Sequence, residues 1–226
     1  MIPIRDVIPS RTTPFVTFSL IIANALAFLC QLAIDPEIAS RLLNTFSVVP
    51  AHLTLLTSAT LVSSTFLHAG WAHLLGNMLF LWIFGDNVED RFGHGRFLLF
   101  YLAAGVAANL AQVAAAPHSL VPIVGASGAI AAVMGAYFVL FPKSRVVMLI
   151  WLVFYIDFVE IPAVLFLGFW FLLQFAGGIG QTAAMNASGG VAFFAHIGGF
   201  AIGALCGRLL ARPERIAVAW WDRPTP

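Results

Sequence analysis

Four polar side chains carry the chemistry of this chain, and their spacing narrows what that chemistry is. Ser127 stands in Gly125-Ala126-Ser127-Gly128, His196 begins His196-Ile197-Gly198-Gly199, and His73 and Asn77 are four residues apart. A serine hydroxyl attacks a carbonyl only when a neighbouring base takes its proton, and imidazole suits that task near neutral pH. The intermediate then needs donors aimed at its oxyanion. His73 and Asn77, at i and i+4, share one helix face, and both can donate. If Ser127 opens a helix, its backbone N–H is a third donor, set in the partial positive charge of a helix N-terminus. Gly125 and Gly128 let a substrate approach the backbone closely. The pattern is not the Gly-x-Ser-x-Gly elbow of soluble hydrolases, because Ala129 occupies its last position. No carboxylate falls at the matching depth, so the expected chemistry is acyl transfer by a Ser127–His196 pair without an acidic third member.

These residues must be positioned by elements that live in lipid. Of 226 residues, 61% are hydrophobic and 9% charged, and mean hydropathy is +0.95. Soluble domains carry about 25% charged residues, so a surface this poor in charge has lipid as its main solvent. The net charge of +1 argues against nucleic acid as a partner. Cys30 and Cys206 fall in apolar runs, read as buried free thiols with no disulfide framework. The six histidines are spaced so that no cluster forms on one surface, and neither a metal nor another cofactor is expected.

The apolar runs predict an all-α bundle of six transmembrane helices, about 14–34, 72–89, 96–116, 127–141, 161–177 and 191–211, each near the roughly 20 residues a bilayer core requires. Residues 48–67, rich in Ser and Thr, read as an interfacial excursion of the first outer loop. Residues 146–160, ending in Asp157 and Glu160, read as part of a loop before the fifth span. Lys and Arg in short loops stay cytoplasmic. With the N-terminus inside, ten of the eleven Lys and Arg fall inside and only Arg41 outside; were 48–67 a span as well, the best split would be nine to two with the N-terminus outside, so charge decides the first loop only weakly. The expected organisation is a cytoplasmic segment 1–13, a membrane domain 14–211, and a disordered cytoplasmic tail 212–226. No secretory signal is read at the first apolar run.

In this layout Ser127 opens the fourth helix, His73 and Asn77 begin the second, and His196 lies on the order of 9 Å down the sixth. All are approached from outside and share the outer leaflet. Gly199 and Gly203 make a small face on the sixth helix, and Ala131 and Gly135 on the fourth, which allows close packing. Each feature also has a plainer reading: a serine bonded to its own helix, a glycine pair that only packs, a His–Asn bridge between helices. Agreement in depth favours the chemical reading.

His73-Leu-Leu-Gly-Asn77, Gly125-Ala-Ser127-Gly128, His196-Ile-Gly-Gly199-Phe-Ala-Ile-Gly203 and Gly85-Asp-Asn-Val-Glu89-Asp-Arg-Phe-Gly93, in this order, resemble the rhomboid intramembrane serine proteases over nearly the whole chain. The resemblance implies Ser127 as nucleophile, His196 as base, and His73, Asn77 and the Ser127 N–H as oxyanion donors, with Gly128, Gly135, Gly199 and Gly203 packing the helices. It implies single-span transmembrane proteins as substrates, cut in or near the membrane segment after local unwinding. The setting implied is the lipid bilayer of a bacterial inner (plasma) membrane, with both termini cytoplasmic and the site open to the outer side. Loop 178–190 would cap the site, and the fifth helix, with Phe166, Phe169, Trp170 and Phe171, would be a lateral gate.

Two departures stand out. The first outer loop lacks the Trp-Arg pair of many members, holding only Trp71 at its end. Ala131 stands where some members stack an aromatic ring on the histidine, so His196 must be held by something else. His68 is read as a brace for the first loop, and Glu89 with Arg91 and Arg96 as a cytoplasmic network; His52, His94 and His118 receive no role. The competing readings are a non-catalytic relative that binds membrane proteins, and a small transporter, whose usual internal repeats and broken helices are not seen.

Overall fold

A computed structural model describes residues 2–152, 154–183 and 191–212. Six long helices follow the apolar runs closely. They are α1 (Phe15–Ala33), α4 (Trp71–Phe92), α5 (His94–Ala115), α6 (Ser127–Leu140), α7 (Ala163–Ala183) and α8 (Phe193–Leu210). Between the first two lie α2 (Pro36–Phe46), the four-residue α3 (Thr60–Ser63) and a 3₁₀ turn, Ser64–Phe66. Among the described residues four helices are long and apolar enough to cross a membrane: α1, α5, α7 and α8. A fifth candidate joins 60–66 to α4 across a bend of 96°, and α6 is a shorter apolar helix. The chain is thus a multi-pass membrane protein built as a helical bundle.

Residues 48–67 touch the bundle towards both ends of the stretch. Val48 pairs with Ile123, and Ser64 and Thr65 are buried against the bundle. Leu55 and Leu56 project outward, 94% and 96% exposed.

Outside the spans the chain adds a sheet that the reading of its apolar runs did not include. Strand β1 (Ile2–Asp6) pairs antiparallel with β2 (Arg145–Leu152), which pairs antiparallel with β3 (Tyr155–Pro162). Residues 146–160, expected as loop, therefore form a hairpin, and segment 1–13 contributes a strand. Val, Ile, Phe, Trp and Tyr dominate both arms, and such side chains favour a pleated, half-buried surface. Val146, Val147 and Met148 are buried, and Ala163 starts α7 straight after the hairpin.

Among lipid tails apolar contact alone does not drive helices together; close backbone packing does. The middle of the bundle shows this. From Gly128 to Tyr137, α6 is wholly buried. A Cβ added at Gly199 would run into the Gly128 carbonyl, one at Gly203 into the Ala132 carbonyl, and one at Gly135 into the Phe200 carbonyl. The α6 and α8 backbones therefore touch. The two cysteines are free but not buried: Cys30 is exposed and Cys206 half-buried. A helix with one protein-facing stripe turns its remaining apolar positions outward, as Ile22, Leu26 and Leu29 show on α1.

The end of the bundle remote from Ser127 holds a polar cluster. Glu89, with no exposed surface, accepts from Val16 N (2.9 Å), Thr17 N (2.8 Å), Thr17 Oγ1 (2.7 Å) and stands 2.5 Å from His94 Nδ1. This carboxylate, read from sequence as part of a network with Arg91 and Arg96, caps the first turn of α1, which has no acidic residue of its own. Asp6 Oδ2 accepts from Tyr137 Oη (2.5 Å) and Asn87 Nδ2 (2.9 Å). Desolvation by burial raises the Asp6 carboxyl to about 7. The tail beyond residue 212 lies outside the described residues.

Candidate active site

Ser127 is the first residue of α6, reached through a backbone that only glycine adopts easily. Gly125 has φ 114°, and its N–H donates to Ser64 O at 2.9 Å. A Cβ at Gly125 would lie 2.6 Å from His73 Nε2 and 3.5 Å from Asn77 Nδ2. The turn therefore brings the start of α6 against both α4 side chains. The paired Val48–Ile123 backbones hold the approach to this turn, with Ile123 N to Val48 O at 2.8 Å.

His196 is the fourth residue of α8 and 8% exposed. Its Nε2 stands 2.7 Å from Ser127 Oγ. Two features bring it there. Gln112 of α5 accepts from Phe194 N (3.0 Å) and Ala195 N (3.2 Å), satisfying donors that the first turn of α8 leaves free. The glycine contacts between α6 and α8 then set the helices at backbone distance.

The imidazole is held from its other side by α7. Its Nδ1 stands 2.8 Å from Gln174 Oε1, and the Trp170 ring lies against it at 5.7 Å between centroids. Asn77 is buried, and its Nδ2 stands 2.9 Å from His68 Nε2. His68 packs edge-on against His73 at 5.1 Å. A cavity of about 990 Å³ opens beside these groups and is lined by His73, Asn77, Ser127, Trp170 and His196. Among the described residues no three His, Cys, Asp or Glu side chains gather as metal ligands.

The structure thus brings Ser127, His196, His73 and Asn77 around one cavity. It also assigns contacts that sequence reasoning overlooked. Gln174 and Trp170 hold His196 where Ala131 offers no ring, and His68 partners Asn77 rather than bracing the loop alone. A signal for Gln174 was present: it is an amide in the midst of an apolar span, where a polar side chain needs a partner. Of the aromatic residues expected at a gate, Phe166 stacks on Phe80 and Phe84 of α4. Phe171 packs on Phe200 at 4.8 Å, and Phe169 points outward, 64% exposed. Of the expected cap, 178–183 are the last residues of α7, and 184–190 lie outside the described residues.

Comparison with known proteins gives a consistent set of relatives. The family model described as Rhomboid domain matches residues 57–213. Rhomboid protease GluP of Bacillus subtilis (strain 168) is 47% identical over 76 residues, 34% of this chain and 14% of that protein. Rhomboid-like protein 11, chloroplastic, of Arabidopsis thaliana is 35% identical over 158 residues, 67% of this chain and 52% of that protein. The human presenilin-associated rhomboid-like protein, mitochondrial, is 33% identical over 130 residues, 56% of this chain and 33% of that protein. The matches thus span 52% or less of the length of these curated relatives.

Proposed function

The chain belongs to the rhomboid family, and from that premise we propose that it is an intramembrane serine endopeptidase acting through Ser127 and His196. The observation that carries the reading is the 2.7 Å separation of Ser127 Oγ and His196 Nε2 beside a cavity. In the reaction, Nε2 takes the hydroxyl proton as Oγ bonds to the scissile carbonyl carbon. The Ser127 N–H, His73 and Asn77 donate to the oxygen that gains charge. The imidazolium then gives its proton to the leaving amine, and the C–N bond breaks to leave an acyl-serine. Water, deprotonated by the same nitrogen, attacks the ester, and Ser127 recovers its proton as the acid product departs.

The substrates proposed are single-span membrane proteins, cut in or near the membrane segment. A helical segment hides its carbonyls in hydrogen bonds, so it must unwind before one can reach Ser127. In this reading α1, α4, α5, α6, α7 and α8 are six spans of a catalytic domain 14–211, flanked by cytoplasmic segments 1–13 and 212–226. The charge asymmetry of the loops supports placing the Ser127 end on the outer side. The Bacillus relative is compatible with a bacterial plasma membrane, and the chloroplastic and mitochondrial relatives with organellar ones.

A serine-directed fluorophosphonate, followed by mapping of the modified peptide, tests the proposal. Labelling is expected at Ser127 and absent in Ser127→Ala, reduced by about 10³-fold or more in His196→Ala, with cleavage of a reporter membrane substrate lost in parallel. Equal labelling or cleavage in Ser127→Ala would sink the assignment. A wild-type protein that neither labels nor cleaves would point to the non-catalytic reading.

A further inference from the structure

We propose that Gln174 is a positioning residue for His196: its amide selects the imidazole tautomer that can accept the Ser127 proton. The inference rests on the serine-protease reading above and adds a group to it.

The orientation of the Gln174 amide follows from its two partners. Its Nε2 donates to Trp170 O at 3.4 Å, and its Oε1 faces His196 Nδ1 at 2.8 Å. Turning the amide over would set its oxygen against the Trp170 carbonyl, two acceptors with no hydrogen between them. The oxygen therefore faces the ring. An amide oxygen only accepts, so the hydrogen between them belongs to Nδ1. A neutral imidazole carries one ring hydrogen. With that hydrogen on Nδ1, Nε2 presents its lone pair to Ser127 Oγ at 2.7 Å, as a base must. The other tautomer would point an Nε2 hydrogen at the hydroxyl and leave Nδ1 and Oε1 as two facing acceptors.

The surroundings leave this task to α7. Ala131 of α6 carries no ring to hold the imidazole. Gln174 is the one amide side chain in the stretch 163–180 of α7, and a lipid-embedded amide is costly unless both its ends are bonded. Here both are. Phe166, Trp170 and Gln174 are spaced i, i+4, i+8 and form one stripe. Phe166 stacks on Phe80 and Phe84 of α4, Trp170 lies on the His196 ring, and Gln174 bonds its Nδ1. Any displacement of α7 from α4 thus carries away both groups that hold the imidazole. A neutral amide also orients the ring without adding a charge beside the buried His196, unlike the carboxylate of a soluble triad.

The test combines nitrogen NMR of the histidine ring with kinetics on the full chain in lipid. In wild type, the His196 spectrum is expected to show a protonated Nδ1 and an unprotonated Nε2. In Gln174→Leu, similar in size but without an acceptor, that preference should collapse to a mixture. kcat should fall about 10- to 100-fold with KM unchanged. Gln174→Glu, which restores an acceptor of the same reach, should recover Nδ1 protonation and most of the rate. An Nε2-protonated ring in wild type overturns the inference whether or not the protein cleaves anything. So does a Gln174→Leu variant that is folded by its unfolding midpoint and turns over at the wild-type rate. A wild type with the expected spectrum but no phosphonate labelling would instead remove the protease reading and leave the tautomer assignment standing.

Discussion

Helix α4 carries polar groups at both ends, and the two ends are built differently. At its start, His73 and Asn77 border a cavity of about 990 Å³. Their neighbours Ser127 and His196 are bonded, through neutral groups, to one another and to Gln174. At its far end, Glu89 is buried and receives three hydrogen bonds from the start of α1. Asp90 accepts from Arg11 N (2.6 Å) and Thr12 N (3.1 Å), and the Ser10 hydroxyl donates to Asp86. The far end uses carboxyl groups and fills their acceptors with backbone N–H and hydroxyl donors. The near end avoids charge and sets His73 and Asn77 on the border of open space. A site that must receive an oxyanion has to hold donors in reserve, whereas a joint between helices does best with none.

The largest test of this contrast is at the closed end. Glu89→Ala removes the acceptor for Val16 N, Thr17 N and Thr17 Oγ1 together, and leaves them buried. Stability in mixed micelles should fall by about 3–5 kcal/mol, while phosphonate labelling per folded molecule stays within about twofold of wild type. Unchanged stability would mean that the closed end is not a structural joint.

Asp6 gives the same end a pH signature. Burial holds its carboxyl up at about 7 in the fold, against the ordinary 3.8 of an exposed aspartate, so between those values the folded protein holds a proton that the unfolded chain has released. Stability is therefore greatest below the lower value, declines as pH rises, and levels off above about 7. The decline is about 4 kcal/mol, and Asp6→Asn should remove it. Unfolding curves across this range with the same slope in both proteins would clear Asp6 of the effect.

At the open end the expected change is in rate. Asn77→Ala should lower kcat by about 10- to 10³-fold, with a stability loss of about 1 kcal/mol or less from the bond to His68. Unaltered turnover would remove Asn77 from the oxyanion donors and weaken the division between the two ends.

How much of this was legible in the sequence depends on the range of the interaction. The helices were, because an apolar run is a local signal: the predicted 127–141 became Ser127–Leu140, and 191–211 became Phe193–Leu210. The glycine turn before Ser127 was legible for the same reason. The sheet was not. β1 finds β2 more than a hundred residues away, with Ile2 opposite Leu149, and Val146 to Leu152 alone reads equally as a loop or the start of a span. Nor were the partners of His196 and Asn77 legible. Gln174 lies 22 residues from His196 in sequence, and only the packing of α7 on α8 joins them. Residue types at the site could be read; what orients them is tertiary.

The smallest effect belongs to His68, and it separates the two ends most sharply. His68 Nε2 receives a hydrogen from the Asn77 amide at 2.9 Å. Its Nδ1 must then carry a hydrogen, which meets no partner of good hydrogen-bond geometry among the described residues. His68→Phe keeps a ring edge-on to His73, deletes the poorly paired N–H, and takes away the acceptor that fixes the Asn77 amide. Stability should stay within about 1 kcal/mol of wild type, since the apolar ring removes one unmet N–H while the Asn77 amide, which lines the cavity, can turn to it. Turnover should fall about 10-fold or less, with KM unchanged, because an amide free to rotate spends less time aimed at the Gly125–Ser127 turn. Loss of rate without loss of stability is the reverse of the pattern expected for Glu89→Ala. A His68→Phe protein that is destabilised but turns over normally would place His68 with the structural joints rather than with the site.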